Sequence, residues 1–89
     1  MRSIAALEAR VRAILLQSWD PLGIAGVAAA GDEYDQYVKP ITAMITTRTS
    51  ADELSNYLVE IETDRMGLKS DYRRAQSVAI KLREIARTP

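Results

Sequence analysis

Four carboxylates between residues 20 and 35 are the side chains best suited to chemistry in this sequence. Asp20, Asp32, Glu33 and Asp35 carry the oxygen ligands that Mg²⁺ and Ca²⁺ prefer. Asp32 and Asp35 are three residues apart, so on a helix they would share one face. A cation held there would support a metal-dependent phosphohydrolase. The spacing nevertheless lacks the alternating ligands, central glycine and terminal glutamate of a calcium-binding loop.

The same carboxylates also have a purely structural interpretation. Asp20 precedes Pro21, where an Asx-type hydrogen bond can hold a turn, and Asp32 stands where an N-cap is expected for the second helix. Capping stabilises a helix by about 1 kcal/mol per residue, which explains such residues without a metal. We therefore favour capping over catalysis, and we predict neither a metal ion nor another cofactor.

Aromatic and acidic residues are concentrated in the same region, which we call the elbow. It comprises Trp19, Asp20, Pro21, Asp32, Tyr34, Asp35 and Tyr37. Aromatic residues at helical spacing usually belong to a core, and a buried indole N–H or phenol O–H normally finds a hydrogen-bond partner. We expect the rings to pack around the joint between the first two helices. Their polar atoms should bind carboxylates such as Asp20 or Asp35.

Basic residues in the last helical segment are the second candidate for chemistry. Arg73, Arg74, Lys81 and Arg83 could neutralise the phosphates of a nucleic acid. They are scattered around the helix, however, and the chain as a whole has 12 basic and 12 acidic residues with a pI near 6.2. Nucleic-acid-binding domains usually have a strongly basic balance. A solvated helix face is the preferred interpretation, with nucleic-acid binding as the alternative.

The absence of two residue types reduces the number of functions that this chain could perform. The chain contains no histidine, which removes the commonest general base and metal ligand, and no cysteine, which removes thiolate chemistry. Its charge is unevenly distributed: residues 20–64 carry a net charge of −7, whereas 1–19 carry +2 and 65–89 carry +5. This pattern favours compaction or head-to-tail association more than it indicates one partner.

The hydrophobic pattern predicts the elements that would position these residues. Apolar residues recur every three or four positions, as in helices with one buried face, over about 3–19, 33–47, 51–66 and 71–87. Pro40 should kink the second helix or divide it. A long apolar loop joins the first two helices. The sequence thus predicts an all-α protein, a compact array of four helices forming a single domain over residues 1–89.

Capping residues mark several of the helix ends. Ser3 is a plausible N-cap of the first helix, and the segment Ser50 to Glu53 has the pattern of a capping box, in which each end can bond the other's backbone amide. Gly67 is expected to stop the third helix in a left-handed conformation.

Two motifs in fixed order carry a family resemblance. Trp19-Asp20-Pro21-Leu22-Gly23-Ile24 is followed by Asp32-Glu33-Tyr34-Asp35, and then by Glu60-Ile61-Glu62 with Arg65-Met66-Gly67-Leu68. In this respect the chain resembles a family of small, all-helical bacterial proteins of unknown function. The resemblance implies a helical fold and a bacterial, cytoplasmic setting, and it implies no catalytic residues.

Together these features predict a non-enzymatic helical protein that binds another protein, in a regulatory or immunity-type role, or that associates with itself. A chain of 89 residues buries little core, so a partner that covers part of its surface would stabilise it. The sequence contains no apolar run of the length that a membrane helix needs. We therefore expect a cytoplasmic protein that does not bind membranes, and we do not expect nucleic acid as the partner.

Overall fold

The computed structural model describes residues 3–24, 26 and 32–87, and in this part of the chain four α-helices follow one another. They are α1 (Ile4–Ile14), α2 (Asp35–Thr46), α3 (Ala51–Glu60) and α4 (Tyr72–Arg87). No residue within the described ranges belongs to a β-strand. The predicted all-α array of four helices is therefore confirmed. None of the helices in those ranges is long and apolar enough to cross a membrane.

Two of the helices end in a wider, π-helical turn. Leu15–Trp19 continues α1, and Ile61–Arg65 continues α3. In each case the amide after the turn donates to a carbonyl five residues earlier: Asp20 to Leu15 at 2.8 Å, and Met66 to Ile61 at 3.0 Å. Such turns are rare and insert one extra residue into a helix. The helices predicted to reach residues 19 and 66 are longer than α1 and α3 because these π-helical turns continue them.

Local caps begin and end these helices as the sequence predicts. The hydroxyl oxygens of Ser3 and Ser50 each accept from the amide three residues later, at 3.1 Å, which fixes the starts of α1 and α3. Gly67 lies in the left-handed region with φ of +66° and terminates the π-helical extension of α3. The boundaries of these two helices are thus encoded by neighbouring residues.

The start of α2 differs from the prediction that Asp32 caps it. The helix begins at Asp35, Tyr34 occupies the N-cap position, and no side chain caps the helix. Asp32 instead contributes its backbone carbonyl, which accepts from the amide of Asp35 at 3.1 Å in the turn before the helix. Pro40 lies within α2 and does not divide it. Residues 25 and 27–31 of the predicted apolar loop lie outside the described residues.

The core lies between α4 and the other helices. α4 packs most extensively on α3 and also contacts α1, its π-helical turn and α2. The large side chains that are almost fully buried are Val11, Leu15, Trp19, Tyr34, Ile41, Leu54, Leu58, Ile61, Val78 and Leu82. Among these apolar residues, one carboxylate is also fully buried, that of Glu62.

Candidate functional site

Trp19 is the centre of the elbow. It is the last residue of the π-helical turn that follows α1, and its side chain is 1% exposed. Its ring lies 5.4 Å from that of Tyr34 in a tilted arrangement and 6.1 Å from that of Tyr37 in an edge-to-face arrangement. Both geometries are favourable for aromatic pairs. The predicted packing of these three rings around the joint is confirmed.

The indole N–H of Trp19 binds a carboxylate that the sequence prediction did not name. Trp19 Nε1 donates to Glu62 Oε2 at 2.7 Å, and both residues are buried. The second oxygen, Glu62 Oε1, accepts from the backbone amide of Asp71 at 2.9 Å. Glu62 therefore connects the end of α1 to the segment that leads into α4. We call Trp19, Glu62, the Asp71 amide and Arg74 the Glu62 network.

Arg74 completes the Glu62 network from α4. Its Nη2 atom lies 3.9 Å from Glu62 Oε2, and its side chain is 33% exposed. Its Nε atom is buried and has no hydrogen-bond partner. The guanidinium thus lies at ion-pair distance from the buried carboxylate, beyond hydrogen-bonding range, and keeps partial contact with solvent. A carboxylate with two hydrogen-bond donors and a nearby cation is suited to holding three elements together.

Asp20 organises the other half of the elbow. The residue adopts a left-handed backbone conformation, with φ of 34°. Its Oδ1 atom accepts from the amide of Ile24 at 2.8 Å and from the hydroxyl of Tyr34 at 2.7 Å. The Tyr34 oxygen in turn accepts from the amide of Leu22 at 3.0 Å. Asp20 holds the turn through its side chain, as predicted, and it also anchors Tyr34 in front of α2.

The hydroxyl of Tyr34 is held in its neutral form by these surroundings. Burial raises the pKa of Tyr34 well above its usual value near 10, and donation to Asp20 raises it further. A phenol with so high a pKa does not ionise at neutral pH. Tyr34 is therefore suited to a structural hydrogen bond and unsuited to general-base catalysis.

We expect stability to fall at alkaline pH because of Tyr34. In the unfolded chain a tyrosine ionises near pH 10, whereas the folded protein keeps Tyr34 protonated to higher pH. The stabilisation is complete below about pH 10 and is lost as the pH rises toward the folded pKa, at up to about 1.4 kcal/mol per pH unit. Urea unfolding between about pH 8 and pH 12, followed by circular dichroism, measures this slope.

Matched tyrosine variants identify the source of that slope. Tyr34→Phe should be less stable at neutral pH, since it removes two hydrogen bonds, and it should lose one tyrosine's share of the alkaline slope. Tyr72→Phe alters a tyrosine that is 47% exposed and should leave the slope unchanged. Burial also raises the pKa of Tyr57, so part of the slope should persist in both variants. An identical slope in Tyr34→Phe and the parent would contradict the assignment to Tyr34.

The remaining candidate metal ligands do not converge on Asp20. Asp32 and Glu33 are exposed, and Asp35 Oδ1 pairs with Arg12 Nε at 2.8 Å across α1 and α2. Among residues 3–24, 26 and 32–87, no three acidic side chains are grouped so that they could hold a metal ion. The structure therefore does not bring three of the four predicted carboxylates together as metal ligands.

The basic residues proposed for nucleic acid also point in different directions. Arg74 belongs to the Glu62 network, and Lys81 Nζ donates to the hydroxyl of Ser18 at 3.3 Å beside α1. Arg83 is nine residues after Arg74, so it projects from α4 about 180° away. Arg73 is exposed on the outer face. These four side chains do not form one phosphate-binding surface.

Glu62 is the residue that sequence reasoning missed. The Glu60-Ile61-Glu62 motif carried part of the family resemblance and assigned Glu62 no role. Its position held a usable signal, because it follows Leu58 by four residues and Ser55 by seven, and both of those are buried. A carboxylate at a position on the buried face of a helix predicts a buried partner.

Comparisons with known proteins add no further assignment to this geometry. The sequence matches no protein-family model, and neither curated proteins nor solved structures give a match. The resemblance carried by the Trp-Asp-Pro and Asp-Glu-Tyr-Asp motifs stays a prediction. The function of the chain is therefore inferred from its described residues.

Proposed function

We propose that this chain is a non-enzymatic helical protein that acts by binding another protein, or a second copy of itself, through a groove between α1 and α2. On the strength of the sequence resemblance, we place it in the cytoplasm of a bacterium. A regulatory or immunity-type role is consistent with a small module of this kind.

The groove between α1 and α2 is the observation that carries this proposal. It has a volume of about 310 Å³. The described residues that line it are Ala5, Glu8, Ala9, Arg12, Asp35, Val38 and Lys39. Three of these residues are apolar, Ala5, Ala9 and Val38, and the other four are two acidic and two basic residues. Protein interfaces combine apolar contact area for an anchor residue with polar residues in the same way.

An exposed isoleucine stands on the same helix as the groove. Ile4, at the first turn of α1, is 57% exposed and lies one residue before the groove residue Ala5. Ile4 also precedes the groove residue Glu8 by four positions, so the two are neighbours on the surface of α1. The partner that fits has a large apolar side chain, with charged residues around it that match the acidic and basic residues of the groove.

The hydrogen bonds that the polar side chains already form support a non-enzymatic role. The buried hydroxyls of Thr42 and Ser55 donate to backbone carbonyls four residues earlier, at 2.7 and 2.8 Å. Such bonds satisfy a hydroxyl within its own helix and are structural. Asp20 and Glu62 are likewise engaged with backbone amides and aromatic donors. In the described residues, the groups best suited to chemistry are already used by the fold.

A pair of alanine substitutions on α1 tests the groove. Ala9→Glu places a charge on an exposed residue that lines the groove, whereas Ala13→Glu makes the same change on an exposed residue of the same helix that does not line it. Light scattering over a range of concentrations measures self-association. A photo-crosslinking amino acid at position 9 or 13, in cells of the native host, captures a separate partner.

We expect Ala9→Glu to abolish self-association and Ala13→Glu to preserve it. For a separate partner, we expect the crosslinking amino acid to capture it from position 9 and not from position 13. A strict monomer whose position 9 gives no more crosslinking than position 13 would refute the groove as an interface. Turnover of phosphate-ester substrates with Mg²⁺ or Mn²⁺, lost on Asp20→Asn or Asp35→Asn, would refute the non-enzymatic assignment.

A further inference from the structure

A second concavity lies at the ends of α2 and α4, away from both the elbow and the groove. Its volume is about 660 Å³. The described residues that line it are Ile45, Thr46, Arg48, Arg83, Ala86 and Arg87. Pockets for small organic ligands usually measure about 300–1,000 Å³. This cleft is therefore large enough for a molecule of several functional groups, and larger than a single phosphate ion needs.

Three arginines give the cleft its chemical character. Arg48, Arg83 and Arg87 are exposed, and none forms an ion pair within the described part of the chain. By contrast, Arg12 and Arg74 each have a carboxylate within 4.0 Å. No acidic residue is among the described residues that line the cleft. Among the described residues that line the cleft, no carboxylate neutralises these three cations.

The helix ends beside the cleft reduce this positive charge only in part. α2 ends at Thr46 and α4 ends at Arg87, and a helix C-terminus carries roughly half a negative charge. Two such ends against three guanidinium groups leave a net charge of about +2. An anion in the cleft would remove the mutual repulsion of the arginines.

We propose that this cleft binds a small organic molecule that carries two or more phosphoryl groups. Guanidinium groups bind phosphoryl oxygens through two parallel hydrogen bonds, and three of them match a ligand with several anionic oxygens better than a single carboxylate. The hydroxyl of Thr46 already donates to the carbonyl of Ala43 at 3.0 Å, so the arginines supply the donors. Ile45 and Ala86 offer an apolar surface to the organic part of the ligand.

The backbone at Arg48 allows binding to be separated from folding. Arg48 has φ of +63°, a left-handed conformation that glycine adopts without a penalty. Arg48→Gly therefore removes one cation and relieves backbone strain. It should unfold at the same temperature as the parent or at a higher one, while it binds the ligand more weakly.

Isothermal titration at low salt tests the proposal with inorganic pyrophosphate and ATP as probes. We expect both to bind the parent with one site per chain and more weakly as salt is added. The double variant Arg83→Gln/Arg87→Gln and the single variant Arg48→Gly should each weaken binding at least about tenfold. Arg73→Gln removes the same charge from an exposed position of α4 outside the cleft, and it should change binding by less than about twofold.

Three results would contradict the proposal that the cleft binds a ligand with several phosphoryl groups. One is the absence of binding to either probe at low salt. Another is equal weakening by Arg73→Gln and by the cleft variants, which would indicate general charge attraction. The third is binding of a single-stranded oligonucleotide without binding of pyrophosphate or ATP, which would indicate a nucleic-acid surface. Since Ala9→Glu leaves the cleft intact, failure of the groove and failure of the cleft are distinguishable.

Discussion

Replacing Trp19 with alanine is expected to lower the free energy of unfolding by about 3–5 kcal/mol, the range for truncating a large aromatic residue in a core. The side chain is 1% exposed and packs on both Tyr34 and Tyr37. The variant also removes the donor at 2.7 Å from Glu62 Oε2, so a buried carboxylate oxygen loses its partner. A small domain is stable by only about 5–15 kcal/mol, so this loss is a large fraction of the total.

Urea unfolding followed by far-ultraviolet circular dichroism measures the effect of Trp19→Ala. Trp19→Phe keeps most of the apolar volume and removes only the N–H, so it should lie between the parent and the alanine variant. Ile80→Ala truncates a residue that is 49% exposed on α4 and should change stability by less than about 0.5 kcal/mol. If Trp19→Ala unfolds like the parent, Trp19 is a surface residue and the elbow becomes a candidate binding site.

Features encoded by neighbouring residues were predictable from the sequence. The starts of α1 and α3 depend on serine side chains that accept a hydrogen bond from the amide three residues later. The end of the third helical segment depends on Gly67. Helical periodicity placed the core residues on their faces because each helix buries one stripe. The four-helix array follows from these local signals.

Features that depend on distant residues were not predictable in the same way. The start of α2 is set beside Tyr34, whose hydroxyl binds Asp20 fourteen positions earlier in the sequence. The partner of Trp19 is 43 residues away. The sequence suggested Asp20 or Asp35 for the polar atoms of the rings. Asp20 does bind the Tyr34 hydroxyl, but the indole binds Glu62, and Asp35 pairs with Arg12. Which of several carboxylates accepts the hydrogen bond of the indole can be decided only when the packing of the helices is known.

The π-helical turns explain much of this difference. Each inserts one residue into the end of a helix, and the resulting change of register has no simple local signature. One turn ends at Trp19 and the other contains Glu62, so both members of the buried hydrogen bond lie on such turns. Because the hydrogen bond between Trp19 and Glu62 joins the two π-helical turns, Glu62 is the second residue on which the fold should depend strongly.

We expect Glu62→Ala to lower the free energy of unfolding by about 2–6 kcal/mol, because it leaves two hydrogen-bond donors unsatisfied at a cost of about 1–3 kcal/mol each. The carboxylate is 0% exposed, and its loss leaves the Trp19 N–H and the Asp71 amide without acceptors. It also leaves Arg74, with its buried Nε, without the carboxylate 3.9 Å away. Urea unfolding at neutral pH measures the change.

Glu60→Ala is the matched control, because it makes the same substitution two residues earlier at an exposed position of α3. It should change stability by less than about 0.5 kcal/mol. A double-mutant cycle with Arg74→Leu measures how much of the Glu62 effect arises from the guanidinium. Because Arg74 is partly exposed and 3.9 Å away, most of the effect should remain in the Arg74→Leu background. Equal effects of Glu60→Ala and Glu62→Ala would mean that Glu62 is solvated, and the Glu62 network would then not hold α1, α3 and α4 together.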